Sequence, residues 1–245
     1  MVSLITLAMT LMSLFTGLLW VLRRRDTVFL WFAAAGLIWS VHNLNLLVVN
    51  IPFSTLTWEW FRHITLTWYV IFTIVFVHRF LNQEHPKIER GLFIGGILGT
   101  VLLLLLPESW FYLFVHRVWL SAVLTAGAYP VLLIVKQRWG FSDLETKLLV
   151  MPGALILFFG FHDWLVVNGL WSRTEGYYIH YASPLVIVVF TYILLRRFVS
   201  ALNESEALNA ELEGRVEAAR EILETNYQNS VIWRTSTYWQ LSGNG

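Results

Sequence analysis

Hydrogen-bonding and ionisable side chains that fall within or beside strongly apolar segments are the residues of this chain best placed to do chemistry. A charged or titratable group at membrane depth is costly to bury, which makes it a functional candidate by default. Histidine changes its charge near physiological pH, and a buried aspartate can pair with an arginine or with a histidine. The pattern predicts a polar pocket that binds a ligand or senses pH, formed by His42, Asn45, Arg117, His162, Asp163 and His180.

Three interpretations of these six residues compete. They form a hydrogen-bond network that only holds helices together, or a ligand-binding or pH-sensing pocket, or a His/Asp metal site. The metal site is the weakest of the three, because no H-E-x-x-H or similar spacing is present and the adjacent His162 and Asp163 do not share one helix face. We therefore expect no metal and no cofactor.

No catalytic residue is predicted. The last apolar segment has no lysine to form a retinal Schiff base, and the chain contains neither a G-x-S-x-G nor a metalloprotease motif. There is no cysteine, so the sequence says nothing about disulfides or thiolate metal sites. A net charge of +1 gives no electrostatic reason to expect a nucleic-acid partner, and none is predicted.

Seven apolar segments precede a charged region, and 57 % of all residues are hydrophobic. A helix needs about 20 mostly apolar residues to cross the hydrocarbon core of a bilayer. The sequence therefore predicts an all-α membrane protein, with a seven-transmembrane helix bundle over residues 1–198 and the lipid bilayer as its surroundings. The predicted spans are roughly 2–22, 27–50, 64–83, 91–106, 114–136, 148–170 and 181–198.

Lysine and arginine are distributed unequally between the two sets of short connections. One set holds eleven and the other three, namely Arg62, Arg117 and Arg173. Because cytoplasmic loops carry the excess of positive charge, the N-terminus is expected outside a bacterial inner membrane and the C-terminus in the cytoplasm. The six candidate residues then lie in the outer half of the bundle, which predicts a pocket open to a small-molecule ligand from the outer side.

Residues 199–228 have a different pattern, in which apolar side chains recur at alternating spacings of three and four. This heptad pattern is typical of a coiled coil, and a polar core residue such as Asn209 favours two parallel strands in register. A lone helix lying on the membrane is the alternative, but seven Glu against three Arg after Phe198 would be repelled by anionic headgroups. We expect a parallel homodimer through a core that includes Leu202, Asn209, Leu212, Val216 and Leu223.

The final segment, residues 229–245, reads NSVIWRTSTYWQLSGNG and has no heptad and no domain signature. Its clustering of Ser, Thr and Trp predicts an irregular or disordered end, or the product of a frameshift or truncation.

The chain resembles the membrane input region of bacterial sensor histidine kinases built on the seven-helix module known as 7TMR-DISM. The resemblance covers about residues 10–228 and is carried by RRRDTVFLWFAAAGLIWSVHNLNLL, FGFHDWLVVNGLW, YYIHYASPLVIVVFTYILLRRFV and ALNESEALNAELEGRVEAAR. It implies a linker helix that feeds phosphoacceptor and ATP-binding domains. The sequence contains neither pattern, since its last histidine is His180 and no ATP-lid motif follows. No catalytic residue is carried over from the family.

Two functions remain open on these grounds. The first is a signal-input module of a two-component histidine kinase-like protein, truncated before the kinase domains. The alternative is a small membrane transporter or membrane-embedded enzyme with an appended cytoplasmic helix. A transporter needs polar residues in both leaflets, whereas the inner halves of the predicted spans are nearly all apolar, which favours the input module.

Overall fold

The computed structural model describes residues 2–48, 50, 51, 53–137, 144–172 and 177–242. Within these residues every regular element is a helix. The chain divides into two compact units, Met1–Leu194 and Leu195–Gly245.

The helices are α1 (Val2–Leu22), α2 (Thr27–Leu47), α3 (Thr55–Phe80), α4 (Pro86–Leu105), α5 (Glu108–Phe114), α6 (Leu120–Gln137), α7 (Leu144–Val167) and α8 (Ile179–Ser242), with a π turn at Val115–Trp119 between α5 and α6. The described residues include seven helical segments that are long and apolar enough to cross a membrane, with α5, the π turn and α6 forming one of them. The prediction of an all-α protein with seven spanning segments is confirmed at this level, which is consistent with a multi-pass membrane protein.

Three spanning segments begin at least five residues earlier than predicted. α3 begins at Thr55 instead of residue 64 because Ser54 caps it, with the Ser54 hydroxyl accepting the Thr57 amide at 3.2 Å. α4 begins at Pro86 instead of residue 91, with proline in the first turn, where its missing N–H is no loss. The fifth segment begins at Glu108 instead of residue 114. In each case the first turn of the helix contains polar residues, so the beginning of the apolar stretch lies later in the sequence than the beginning of the helix.

Small residues let α1 and α2 approach closely. A Cβ at Gly36 would collide with the Ser13 hydroxyl, and Ala33 lies opposite Gly17. Helices in lipid associate through such small side chains, because lipid tails are as apolar as leucine and provide no hydrophobic drive between helices. α2 also packs against α3, which in turn contacts α4 and α6, while α6 packs against α7.

Aromatic rings join α2, α3 and the first part of α8. Phe76 of α3 lies edge-on to Phe190 at 5.0 Å between centroids and 5.3 Å from Phe32 of α2. Tilted and edge-to-face pairs of this kind contribute about 0.5–1.5 kcal/mol each beyond the area they bury. They position the beginning of α8 against the helices that carry the polar residues.

The outward faces of α1 and α4 are apolar. Leu4 and Leu22 of α1 are 71 % and 73 % exposed, and Leu98 and Leu105 of α4 are 64 % and 75 % exposed. A continuous exposed apolar face of this size is not tolerated in water. It suits contact with lipid.

The second unit is helical to Ser242, and its side chains are exposed from Leu202 to Tyr227. The predicted core residues Leu212, Val216 and Leu223 are 49 %, 67 % and 69 % exposed. The coiled coil and the limits 199–228 therefore stay predictions. The backbone of α8 remains helical to Ser242, unlike the irregular ending predicted for 229–245; side chains after Tyr227 and residues 243–245 lie outside the described part.

Candidate ligand cavity

A cavity of about 620 Å³ opens in the first unit at the end of the bundle where α2 and α7 end and α3 and α5 begin, here called the cavity end. Pockets of about 300–1,000 Å³ are usual for small molecules. We call this cavity the His42 cavity. Its polar and aromatic lining comprises Trp39, His42, Asn43, Asn45, Glu59, Arg62, His63, Tyr69, Tyr112, His116, Asp163, Trp164, Tyr177 and His180.

α2 supplies one polar wall. The His42 ring stacks on Trp39 at 5.0 Å, and its Nδ1 lies 3.0 Å from the Thr65 hydroxyl of α3. One turn later, the Asn45 side-chain oxygen accepts the indole N–H of Trp58 at 2.9 Å. Residues three apart share one face of a helix, so both side chains face the cavity while each is held by a partner on α3.

The first turns of α3 supply a charged group. The Glu59 carboxylate accepts from the Arg62 guanidinium at 2.7 Å and lies 3.3 Å from the His63 ring. Their spacing of three and four residues puts all three side chains on one face of α3. Glu59 is therefore held between two partners at the rim of the cavity.

Asp163 of α7 caps α8. Its two carboxylate oxygens accept the backbone N–H groups of Tyr178 and Ile179 at 2.8 and 2.9 Å, and His162 Nδ1 lies 3.0 Å away. The first amides of a helix have no partner within it, and a negative charge there also complements the helix dipole. Asp163 thus fixes where α8 begins and positions His180 beside the cavity.

The π turn Val115–Trp119 places His116 in the lining. A π turn frees backbone carbonyls from the regular α-helical pattern and often occurs at functional sites. The His116 carbonyl here accepts from the Asn168 amide at 3.2 Å. The turn therefore connects the fifth spanning segment to the end of α7.

The deeper part of the cavity is apolar. Its walls there are formed by α6 and α7, with Val123, Leu124, Ile156 and Leu157. Gly127 also lines this part, and among the described residues nothing lies within 4 Å of the position of an added Cβ. A larger side chain at residue 127 would thus enter the cavity without a collision at Cβ.

Several buried polar atoms of the lining have no hydrogen-bond partner among the described residues. They are Trp39 Nε1, Asn43 Oδ1, Arg62 Nε and His63 Nδ1. Such atoms are rare in folded proteins, and each costs about 1–3 kcal/mol when left unpaired. Other such atoms lie away from the cavity, among them Ser13 Oγ, Trp20 Nε1 and Thr191 Oγ1, and all of them are shielded from the cavity space by neighbouring atoms.

The structure brings together four of the six predicted residues. His42, Asn45, Asp163 and His180 line the cavity, and His162 contacts Asp163. Arg117 is exposed, outside the lining described for the cavity, and the partners of Asp163 are His162 and two backbone amides instead of this arginine. The structure therefore places Arg117 apart from the other predicted residues, and its part in a pocket stays a prediction.

The site predicted from the sequence did not include Glu59, Arg62 or His63. The third span was predicted from residue 64, which put His63 at its beginning and Glu59 and Arg62 in the loop before it. Their spacing of three and four residues was the signal that a helix begins earlier.

A second polar cluster was also missed, at the opposite end of the bundle. The buried His78 contacts Glu89 through Nδ1 and the Tyr129 hydroxyl through Nε2, each at 3.0 Å. The Arg79 guanidinium donates to both oxygens of Glu89 at 2.7 Å. The cluster joins α3, α4 and α6 and corrects the expectation that the inner halves of the spans are nearly all apolar.

Metal binding has no support in the described residues, which contain no group of three or more His, Cys, Asp or Glu able to hold an ion. Comparisons with models of protein families, with curated proteins and with solved structures find no match to this chain.

Proposed function

We propose that this chain is a membrane signal-input module of a two-component, histidine kinase-like protein. A small molecule binds in the His42 cavity and alters the arrangement of the helices around it, and the change is passed to residues 199–228. The observation that carries the proposal is the cavity itself, which is lined by polar side chains and lies at one end of the described bundle of seven apolar helical segments. A ligand that fits the cavity better in one arrangement of the helices shifts the population toward that arrangement.

The distribution of positive charge supports the direction of signalling. The connections at the cavity end hold three Lys and Arg residues against eleven in the other set. Under the positive-inside rule the cavity opens to the outside and residues 199–228 lie in the cytoplasm of a bacterial inner membrane.

The heptad pattern supports an output through a second copy of the chain. The predicted core side chains Leu202, Leu212, Val216 and Leu223 are between 47 % and 69 % exposed in the single chain. An apolar row on an otherwise charged helix is stabilised when two copies pair, and confinement to one membrane raises their effective concentration. The resemblance to the input region of sensor kinases agrees with this arrangement.

A chimera tests the proposal. Residues 1–228 are joined in heptad register to the dimerisation and kinase domains of a well-characterised sensor kinase, and autophosphorylation is measured in membranes. Gly127→Leu fills the cavity and His42→Ala removes part of its wall, so each should shift autophosphorylation about fivefold, which corresponds to a bias of about 1 kcal/mol between two states.

Gly95→Leu is the matched control, because Gly95 of α4 is exposed and nothing lies within 4 Å of an added Cβ among the described residues. It should leave the chimera unchanged. If all three variants phosphorylate like the parent chimera at equal expression, the cavity does not control the output.

A transporter is the second candidate, and the polar cluster at the opposite end favours it. Tyr129 comes only two residues after Gly127 of the cavity and contacts His78, which contacts Glu89. These groups could relay protons between the cavity and the other side. Sealed proteoliposomes with a trapped pH-sensitive dye distinguish the candidates: the input module predicts no protein-dependent proton flux, whereas a flux abolished by Glu89→Gln would identify a transporter.

A further inference from the structure

The charged side chains that line the His42 cavity already have partners. Among the described lining residues the formal charges belong to Glu59, Arg62 and Asp163. Glu59 and Arg62 neutralise each other at 2.7 Å, and Asp163 is compensated by two amides at the beginning of α8 and by His162. A charged ligand would find no free counter-charge in this lining, and an unpaired buried charge costs several kcal/mol.

The hydrogen bonds of α2 show which polar groups remain available. The Thr65 hydroxyl has one hydrogen, which it donates to the Phe61 carbonyl at 2.8 Å, so His42 Nδ1–H is the donor in the 3.0 Å contact with Thr65. A neutral His42 then presents Nε2 as an acceptor. The Asn45 oxygen accepts from Trp58, which leaves the Asn45 amide nitrogen with hydrogens to donate.

An acceptor and a donor thus lie one turn apart on the face of α2 that lines the cavity. A hydroxyl group satisfies both, because it donates one hydrogen and accepts another hydrogen bond. A ketone or an ether offers only acceptors and would leave His42 Nε2 without a partner. Beyond these groups the walls of α6 and α7 are apolar and suit a hydrocarbon chain or ring.

We infer that the His42 cavity binds an uncharged amphiphile, an alcohol or phenol whose hydroxyl contacts His42 and Asn45 and whose apolar body lies between α6 and α7. This inference rests on the proposed function and names its ligand class. The hydroxyl donates to His42 Nε2 and accepts from the Asn45 amide. The same chemistry occurs in a free alcohol and in a lipid with a free hydroxyl, such as a diacylglycerol.

Photolabelling of the full chain in lipid nanodiscs at neutral pH tests the inference. The probe is octanol with a diazirine on its chain, and labelled residues are identified by mass spectrometry. Unlabelled octanol, octanoate and octylammonium compete, since they have eight carbons each and differ in the head group, which is a neutral hydroxyl, an anionic carboxylate or a cationic ammonium. Octanol should prevent labelling of cavity residues, and the charged compounds should need concentrations higher on the order of a hundredfold.

Variants identify the site. His42→Ala should weaken labelling on the order of tenfold, and so should Asn45→Asp, which keeps an oxygen for Trp58 but loses the donor. Gly127→Leu should abolish labelling of cavity residues, whereas Gly95→Leu should retain it. Competition by dioleoylglycerol assigns the natural ligand to the lipids, and competition by octanol alone assigns it to free alcohols.

Two results would overturn the inference: charged competitors as effective as octanol, or equal labelling of the Gly127→Leu and Gly95→Leu variants. The chimera separates this failure from a failure of the proposed function. Suppose that Gly127→Leu changes autophosphorylation of the chimera while octanol competes for labelling no better than the charged compounds. In that case the receptor role stands and the ligand class is wrong.

Discussion

Removal of the Asp163 carboxylate should loosen the beginning of α8. Asp163→Ala leaves the amides of Tyr178 and Ile179 without the acceptors they now have at 2.8 and 2.9 Å. Hydrogen bonds to a charged group contribute about 1.5–3 kcal/mol each in favourable settings, and water admitted to the site recovers part of this. We expect a net local loss of about 2–4 kcal/mol.

Hydrogen–deuterium exchange of the segment that follows residue 177 measures this loss directly. A local opening that becomes easier by 2 kcal/mol exchanges about 30-fold faster. Asp163→Asn keeps one acceptor oxygen and should give an intermediate acceleration.

Asp26→Ala is the matched control. Asp26 lies directly before α2, much as Asp163 lies beside the beginning of α8. The Asp26 side chain makes no cap hydrogen bond, however, and its contact with Arg23 is on the surface. Its removal should change exchange of α2 by less than about 0.5 kcal/mol. Equal, small effects of Asp163→Ala and Asp26→Ala would refute the conclusion that Asp163 holds the beginning of α8.

Two further predictions concern other parts of the chain. Glu89→Ala removes the carboxylate that accepts two hydrogen bonds from the partly buried Arg79, and it should lower the free energy of unfolding in detergent by about 3 kcal/mol. Glu84→Ala is the control, because it removes a 74 % exposed carboxylate 3.7 Å from the same arginine and should have almost no effect. Equal melting temperatures of the two variants would contradict a structural role of the cluster. A cysteine that replaces Val216 should crosslink two chains in membranes, because Val216 lies in the predicted heptad core. A cysteine that replaces Glu217, which lies outside this core, should crosslink poorly. Equal crosslinking at the two positions would exclude a coiled coil in that register.

The spans could be predicted because apolar length is a strong local signal. α1 runs from Val2 to Leu22, as expected from the first apolar segment. The beginning of α3 could not be found from hydropathy, since it depends on the Ser54 cap and on side-chain pairs among Glu59, Arg62 and His63.

The cavity could be predicted in part. His42, Asp163 and His180 are far apart in the sequence, but the alternation of spans places them at one end of the bundle. His116 lines the cavity while its neighbour Arg117 is exposed, and the π turn that contains both residues has no signal in the local sequence. The cluster around His78 was overlooked because His78, Arg79 and Glu89 lie near helix ends, where charge is usually taken as a signal of topology, and because Tyr129 is an uncharged residue in the middle of α6.

The most direct test of whether the chain carries a signal inward is to measure on which side of the membrane the cavity lies and on which side residues 199–228 lie. The chain has no native cysteine, so single cysteines can be labelled without background. In intact spheroplasts, a membrane-impermeant maleimide should react with a cysteine replacing Asn45 in the cavity and should reach one replacing Glu204 only after the membrane is opened. Labelling of both from the same side, or the reverse order, would contradict the account.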